Sequence, residues 1–113
     1  MEEIKFPFDI EKFFAKCVRH KVIPKNNFEK QALLLRLVKD FKDGVIYSEQ
    51  DVNKIIKKYF EDYTTLRREL INFGFMQRNS ISGEYWMNKR ILTFEDIKKN
   101  GVLKKDAKPY LKF

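Results

Sequence analysis

Apolar residues recur along most of the chain at the spacing of amphipathic helices. From Ile10 to Val18 they occupy positions i, i+3, i+4, i+7 and i+8, behind an aspartate, Asp9, that can cap the first turn. We expect this helix to end before Pro24, because the residue ahead of a proline is disfavoured in the helical region. The pattern therefore predicts one amphipathic helix near the start of the chain.

A second and more apolar helix is predicted from Phe28 to Phe41, with Asn26 or Asn27 as its cap. Its apolar side chains cover a wide arc, which indicates a central helix that packs on more than one side. Gly44 stands just past the last turn, where a helix commonly ends.

Two further helices are separated by only a short turn. The first opens at Ser48 with a capping box and carries apolar residues at i, i+3, i+4 and i+7. The second is capped by Asp62 and runs to Phe73, just ahead of a glycine. A short β-prone stretch, Val45–Tyr47, precedes the pair. The short separation of these two helices is what a helix-turn-helix requires.

Beyond this pair, two strand-like runs, 75–79 and 84–88, flank a four-residue loop with a glycine near its end, which predicts a β-hairpin. A last short helix is predicted from a capping box at Thr93 to Asn100, with Gly101 as its stop. The fold class is therefore mainly α with a small β-hairpin: a winged helix-turn-helix core with extra helices at both ends. We divide the single domain 1–113 into a helical extension at 1–27, the winged-helix core at 28–90 and a basic extension at 91–113.

Composition and charge narrow the class of protein. The 113 residues are 43% hydrophobic and 35% charged, which suits one globular domain and excludes wholesale disorder. No apolar run approaches the roughly 18 residues of a membrane span, and a single cysteine fits a reducing cytosol, so we expect a soluble cytoplasmic protein with no membrane partner. The net charge of +8 favours an anionic partner, nucleic acid first, although 18 of the 24 basic residues are lysines, as genomic base composition alone can produce.

Several spaced motifs in the core match a known family. They are Tyr47-Ser48-Glu49-Gln50-Asp51-Val52-Asn53, the run 62–71 with its Leu66-Arg67-Arg68, and then Gly74-Phe75, Arg78 and Tyr85-Trp86. Over roughly residues 20–90 the chain resembles the small bacterial proteins grouped as domain of unknown function 2087, and it departs from their pattern at Met87, where arginine is usual. The resemblance implies a winged-helix domain of the transcription-regulator type and brings no biochemical activity with it.

The second helix of the predicted pair carries the first candidate DNA contacts. With Leu66 facing the core, the positions that face outward, flank that face or lie at its edge are Thr64, Thr65, Arg67, Arg68 and Asn72. In a major groove, arginine can read guanine bidentately and asparagine can read adenine. The alternative is that Arg67 or Arg68 pairs with a carboxylate of the helix pair (Glu49, Asp51 or Asp62) and only holds the two helices together.

The hairpin and the segment after it carry a second set of candidates. The predicted contacts to phosphates or to the minor groove there are Arg78, Ser80, Ser82, Lys89 and Arg90. The acidic Glu84 and the shortness of the loop count against this interpretation. Residues 89–113 hold eight basic and three acidic residues, so this end of the chain can also follow a phosphate backbone. The alternatives are a solvated hairpin, a solvated run of charge, and packing of Tyr110, Leu111 and Phe113 on a partner chain.

The sequence gives little support for a metal site, a phosphate-binding loop or a catalytic nucleophile. Cys17 and His20 are one helical turn apart, but a closed zinc site normally needs four ligands and the sequence has no other Cys or His. The four glycines stand at helix ends or in the hairpin and form no phosphate-binding loop, and there is no nucleophile motif with a histidine base. We therefore expect a core cysteine, a surface histidine, and no metal, cofactor, small-molecule ligand or enzymatic activity.

The leading hypothesis is a DNA-binding transcription regulator whose partners are double-stranded DNA and a second copy of the chain, as a homodimer. The alternative is a protein–protein interaction module that keeps the winged-helix frame without reading DNA. Its support is the apolar character of both ends, at Phe6, Phe8, Phe13-Phe14 and 110–113. RNA binding would draw on the same charge but would prefer single-stranded or A-form ligands.

Overall fold

The structure is a computed structural model that describes residues 2–112. Its helices within that range are α1 (Ile10–His20), α2 (Asn27–Val38), α3 (Glu49–Lys57), α4 (Tyr63–Asn72), α5 (Phe94–Lys98) and α6 (Gly101–Ala107), and its strands are β1 (Met76–Arg78) and β2 (Tyr85–Met87). No helix in the described part of the chain has the length and apolar character needed to cross a bilayer. The mainly helical class with one small hairpin is thus confirmed.

The chain divides into two compact units. The terminal unit consists of the described residues up to Leu35 together with those from Ile91 onward, and the central unit is Arg36–Arg90. The division falls within α2, which ends at Val38, three residues before the predicted Phe41.

The first five helices begin where the sequence signals predicted. The capping side chains that accept backbone N–H groups there are Asp9, Asn26, Ser48, Asp62 and Thr93. At α3 and α5 the cap is reciprocal, since the third residue of each helix, Asp51 or Asp96, accepts the N–H of the capping residue. The starting points of these helices are therefore set by hydrogen bonds within their first turns.

In the terminal unit, aromatic rings from both ends of the chain form one cluster. The ring centroid of Phe28 lies 4.9 Å from that of Phe6 and 5.2 Å from that of Tyr110. The Phe8 centroid lies 4.9 Å from that of Phe13. The apolar ends that were considered as a partner surface thus pack on each other within this unit.

The terminal unit also contains a helix that the sequence analysis did not predict. Gly101 was predicted to stop a helix, and this is wrong, because it is the first residue of α6. Asn100 caps α6 by accepting the Leu103 N–H at 3.1 Å. In turn, Asp106 of α6 accepts the backbone N–H of Asn27 at 2.8 Å. An asparagine followed by apolar residues four apart was the overlooked signal for this helix.

In the central unit, α3 and α4 pack together across a five-residue connection. Val52 and Ile56 of α3 and Leu66 and Leu70 of α4 are buried. These four side chains follow the i, i+4 spacing, so the periodicity of the sequence located this interface correctly. The short connection keeps α4 beside α3 and turns the opposite face of α4 to solvent.

The hairpin follows α4 directly. Its strands pair antiparallel, with Met76 opposite Met87 and Arg78 opposite Tyr85. Because alternate residues of a strand share a face, these four side chains lie on one face of the hairpin. Both methionines and Tyr85 are buried, whereas Arg78 is exposed. This face is therefore core at one end and cationic at the other.

A single bridge extends the hairpin on the other side of β2. Tyr47 and Tyr85 exchange two backbone hydrogen bonds, each of 2.8 Å. The strand predicted for residues 45–47 is wrong at its first two positions, because Val45 and Ile46 pair with no strand among residues 2–112 and are 38% and 55% exposed. Strand propensity alone is insufficient here, since only Tyr47 meets a neighbouring backbone.

Candidate functional site

A groove lies between α4 and the hairpin in the central unit. Its volume is about 310 Å³, and it is lined by Glu49, Arg67, Arg68, Ile71, Asn72, Arg78 and Tyr85. Three of the chain's six arginines line this groove, against a single carboxylate. The groove therefore carries a net positive charge.

The turn between α4 and β1 holds the hairpin beside the helix. Gly74 adopts a left-handed conformation with φ of 78°, which ends α4 and redirects the chain. The Phe75 N–H then donates to the Leu70 carbonyl at 2.9 Å, and the side-chain amide of Asn88 donates to the Gly74 carbonyl at 2.8 Å. These bonds attach the base of the hairpin, next to Met76 and Met87, to the end of α4.

Arg67 is engaged within the protein. Its Nη1 donates to Asn53 Oδ1 at 2.6 Å, its Nε lies 3.8 Å from Glu49 Oε1, and its side chain is only 13% exposed. The same Glu49 oxygen accepts the hydroxyl of Tyr85 at 3.1 Å. Arg67 thus pairs with Glu49, a carboxylate of the helix pair, as the structural alternative to DNA contact predicted for this arginine. Sequence reasoning did not single out Asn53 or Tyr85 as site residues, although both belong to the motifs that carried the family resemblance.

Arg68 and Asn72 form the exposed face of α4. They are four residues apart, so they lie on the same side of the helix. Within residues 2–112, Arg68 makes no hydrogen bond or ion pair, and the Asn72 amide donates to Glu69 Oε1 at 3.0 Å. Thr64 is half-buried, and Thr65 is exposed but donates its hydroxyl to the carboxylate that caps α4, at 2.8 Å. Of the helix candidates, Arg68 and Asn72 are the two that the groove presents to solvent.

The hairpin candidates are all exposed. The guanidinium carbon of Arg78 lies 5.8 Å from the centroid of the Tyr85 ring, within the range of a cation–π interaction. Ser80 and Ser82 stand in the tip, where the Ser82 hydroxyl oxygen accepts the Glu84 N–H at 3.3 Å. Of these, Arg78 lines the groove and the two serines do not.

Lys89 and Arg90, the other predicted phosphate contacts, have protein partners. Lys89 Nζ lies 4.8 Å from the centroid of the Phe75 ring, and Arg90 Nη2 donates to the Phe41 carbonyl at 2.7 Å. Neither residue lines the groove. The structure thus brings Arg67, Arg68, Asn72 and Arg78 together and leaves these two elsewhere on the central unit.

The basic segment after residue 90 belongs to the terminal unit. There the Tyr110 hydroxyl donates to Glu29 Oε2 at 2.6 Å, and this hydrogen bond raises the pKa of Tyr110 above its usual value. Tyr110 therefore contacts its own chain, while Leu111 is half-buried. Phe113, the third residue of that predicted partner surface, lies outside the described residues.

Two groups of titratable residues lie away from the groove. In the central unit, the Tyr59 hydroxyl donates to Asp40, which raises the pKa of Tyr59, and Arg36 Nη1 lies 3.2 Å from the same carboxylate. In the terminal unit, Cys17 is buried, which raises the pKa of its thiol, and His20 is exposed. Within residues 2–112 no three His, Cys, Asp or Glu side chains cluster in a way that could hold a metal ion.

Comparison with known proteins gives one finding. The family model described as "Uncharacterized protein conserved in bacteria (DUF2087)" matches residues 19–87, more than half of the chain. This range contains α2, α3, α4 and the hairpin, and with them every residue that lines the groove. No curated protein and no solved structure matches the chain significantly.

Proposed function

The chain belongs to the DUF2087 family of bacterial proteins, and we propose that it is a winged-helix protein that binds duplex DNA and regulates transcription. The order of its elements supports the fold. Along the chain, α2 is followed by the single bridge at Tyr47, then α3, α4 and the hairpin, which is the order of a winged-helix domain. In that arrangement α4 is the recognition helix and the hairpin is the wing.

The exposed face of α4 suits a major groove. The helix has 10 residues and is about 15 Å long, and its Arg68 and Asn72 carry the side chains best suited to reading guanine and adenine. The dimensions agree, since the major groove is about 12 Å wide and admits one helix. Arg68 is available for this contact, because its guanidinium has no ion-pair partner among residues 2–112.

The hairpin supplies the second half of the contact. Arg78 faces the groove that Arg68 also lines, so two exposed guanidinium groups stand on the two sides of one channel. A helix in the major groove with a cation beside it matches the way DNA-binding proteins combine base readout with phosphate contacts. The observation that carries the proposal is this pairing of Arg68 and Arg78 in a groove whose only carboxylate, Glu49, is already engaged by Arg67 and Tyr85.

Fluorescence anisotropy with mixed-sequence duplex DNA, across a series of salt concentrations, tests the proposal. We expect binding whose logarithm falls linearly with the logarithm of salt concentration, because phosphate contacts release counterions. Arg68→Ala should weaken binding, whereas Arg19→Ala, which removes the same charge from an exposed position of α1, should have a much smaller effect. Absence of binding at about 50 mM salt, or equal loss in both variants, would refute it. Competition by single-stranded RNA but not by duplex DNA would indicate RNA binding instead.

A second candidate function, protein–protein recognition, is favoured by one patch on the central unit. Val45 and Ile46 are exposed and border a groove of about 390 Å³ that Ile55 also lines. If this patch joins two copies of the chain, Ile46→Lys should convert a dimer into a monomer in sedimentation equilibrium. Val22→Lys, at a site 52% exposed in the terminal unit, is the matched control. A monomeric wild-type chain would exclude self-association through this patch.

A further inference from the structure

The tip of the hairpin exposes an isoleucine almost completely. Ile81 is 97% exposed, more than any other large hydrophobic side chain among the described residues. Residues in such loops are usually Gly, Asn, Asp, Ser or Pro, because these residues favour turn conformations or form hydrogen bonds with the local backbone. An isoleucine here leaves nearly its whole apolar surface in water without contributing to the fold.

Hydrogen bonds within the loop fix the conformation of the tip. Asn79 Oδ1 accepts the N–H groups of Ile81 and Ser82, at 2.8 and 3.1 Å. The Asn79 carbonyl accepts the Gly83 N–H at 2.8 Å, with Gly83 in the left-handed region at φ of 73°. The loop thus holds Ile81 at its outermost point in a defined conformation.

The immediate surroundings of Ile81 are polar, with two hydroxyl groups, the Arg78 guanidinium and the exposed Glu84 carboxylate on the same end of the hairpin. Its neighbours in sequence are two exposed serines, and Nη2 of Arg78 lies 3.9 Å from the point where a Cβ on Gly83 would stand. Hydroxyl and guanidinium groups are the usual partners of phosphate oxygens. A single apolar side chain between such groups is the arrangement of a wedge that enters a minor groove, where the apolar group unstacks a base step while the polar groups contact the backbone.

Other partners fit this tip less well. A binding hot spot for a protein needs a cluster of apolar or aromatic groups that exclude water, and Ile81 stands alone between serines. A lipid surface needs a much larger apolar area than one side chain supplies. In contrast, the minor groove is about 6 Å wide and accepts one aliphatic side chain.

We propose that Ile81 is an apolar wedge that inserts into the minor groove of duplex DNA next to the site of α4 and kinks the duplex. This inference rests on the proposed DNA binding and adds the deformation of the DNA to it. A chain that kinks its site also discriminates between sequences without touching their bases, because flexible pyrimidine–purine steps deform more easily.

The test compares Ile81→Ser with Ile81→Leu on a duplex that the wild-type protein selects from a random pool. Binding is measured by anisotropy, and bending by energy transfer between dyes at the two ends of a duplex of about 30 base pairs. We expect the wild-type protein and Ile81→Leu to bend the duplex by an angle in the range of about 20–90°. Ile81→Ser should still bind but should lose the change in energy transfer. The Ile81 side chain is 97% exposed and the loop is held by backbone hydrogen bonds that the substitutions keep, so all three proteins should have nearly the same melting temperature.

The outcomes separate the two proposals. If the wild-type protein selects no duplex, DNA binding itself is refuted, and the wedge with it. If the protein binds but leaves the duplex straight, or if Ile81→Ser bends it as strongly as wild type, the wedge is refuted while DNA binding stands. Loss of self-association in Ile81→Ser with unchanged bending would assign the tip to a protein contact and would also overturn the wedge.

Discussion

Replacing Arg67 and Arg68 by alanine, one at a time, separates a structural arginine from a DNA-binding one. The two residues are neighbours in the sequence, and each variant removes one positive charge, so the variants control for each other. In the structure, however, the Arg67 guanidinium contacts Asn53 and Glu49, while Arg68 makes no hydrogen bond or ion pair with a described residue. We therefore expect opposite effects on stability and on DNA affinity.

The stability lost in Arg67→Ala follows from the two contacts of the Arg67 side chain. A short hydrogen bond from a charged donor to Asn53 contributes about 1.5–3 kcal/mol. The pair with Glu49, whose side chain is 50% exposed, adds about 0.2–1 kcal/mol. Together these terms give a destabilisation of about 2–4 kcal/mol for Arg67→Ala, which for a chain of this size lowers the melting temperature by about 8–16 °C.

Arg68→Ala should change the free energy of unfolding by no more than about 0.5 kcal/mol, as is usual for substitutions of exposed side chains that make no hydrogen bond or ion pair. The same substitution should weaken DNA binding by a larger amount, because a bidentate arginine–guanine contact contributes about 1–3 kcal/mol of discrimination between bases. This corresponds to a loss of affinity between about 5-fold and 150-fold. If Arg68 contacts a phosphate instead, the loss should be uniform across sequences and the salt slope should decrease by about 0.9.

The assays are urea unfolding followed by circular dichroism, and anisotropy with duplex DNA at a temperature where both variants are folded. We expect Arg67→Ala to be the less stable variant and Arg68→Ala to be the one that binds DNA more weakly. Equal destabilisation of the two variants would show that the contacts of Arg67 are not the ones described. Unchanged DNA affinity in Arg68→Ala would show that α4 is not the recognition helix.

Three further predictions concern positions outside the groove. Gly101→Ala should stabilise the protein by about 0.4–1 kcal/mol in urea unfolding, since Gly101 has no positive φ and an added Cβ meets nothing within 4 Å; a decrease would mean that α6 does not begin there. Cys17 should react with iodoacetamide far more slowly in the folded protein than in urea, because burial raises the pKa of its thiol; equal rates would contradict its burial. The hydrogen bond to Asp40 raises the pKa of Tyr59, so its stabilising effect should be complete below pH 10 and lost as the pH rises through the raised pKa. Tyr59→Phe should therefore lose less stability than wild type above pH 10, and identical alkaline unfolding profiles would exclude this effect.

Local interactions explain why most of the elements could be located from the sequence. The caps at Asp9, Ser48, Asp62 and Thr93 act within three residues, so their signals are readable without any tertiary contact. The hairpin was likewise recognisable, from two β-prone runs around a loop that ends in a glycine with positive φ. The family, too, was identified from motifs in the core alone.

The errors arose where a local signal depended on a distant partner. Val45 and Ile46 have high strand propensity, but only Tyr47 meets a backbone with which to pair, and that backbone is 38 residues away at Tyr85. Gly101 alone predicts the end of a helix, whereas Asn100, at the preceding position, caps a new one. In both cases the propensity of one residue was outweighed by the hydrogen bonds that its neighbours make.

The sequence by itself determined the helices, the hairpin and the placement of arginines on and beside α4, since these depend on periodicity and on caps within one turn. It could not distinguish Arg67 from Arg68, because both lay on or near the outward side of α4. Only the tertiary structure decided that Arg67 is held by Asn53 and Glu49 while Arg68 remains exposed. The physical reason is that the packing of α3 against α4 brings Asn53 within 2.6 Å of one guanidinium, and periodicity within a single helix contains no information about the helix packed against it.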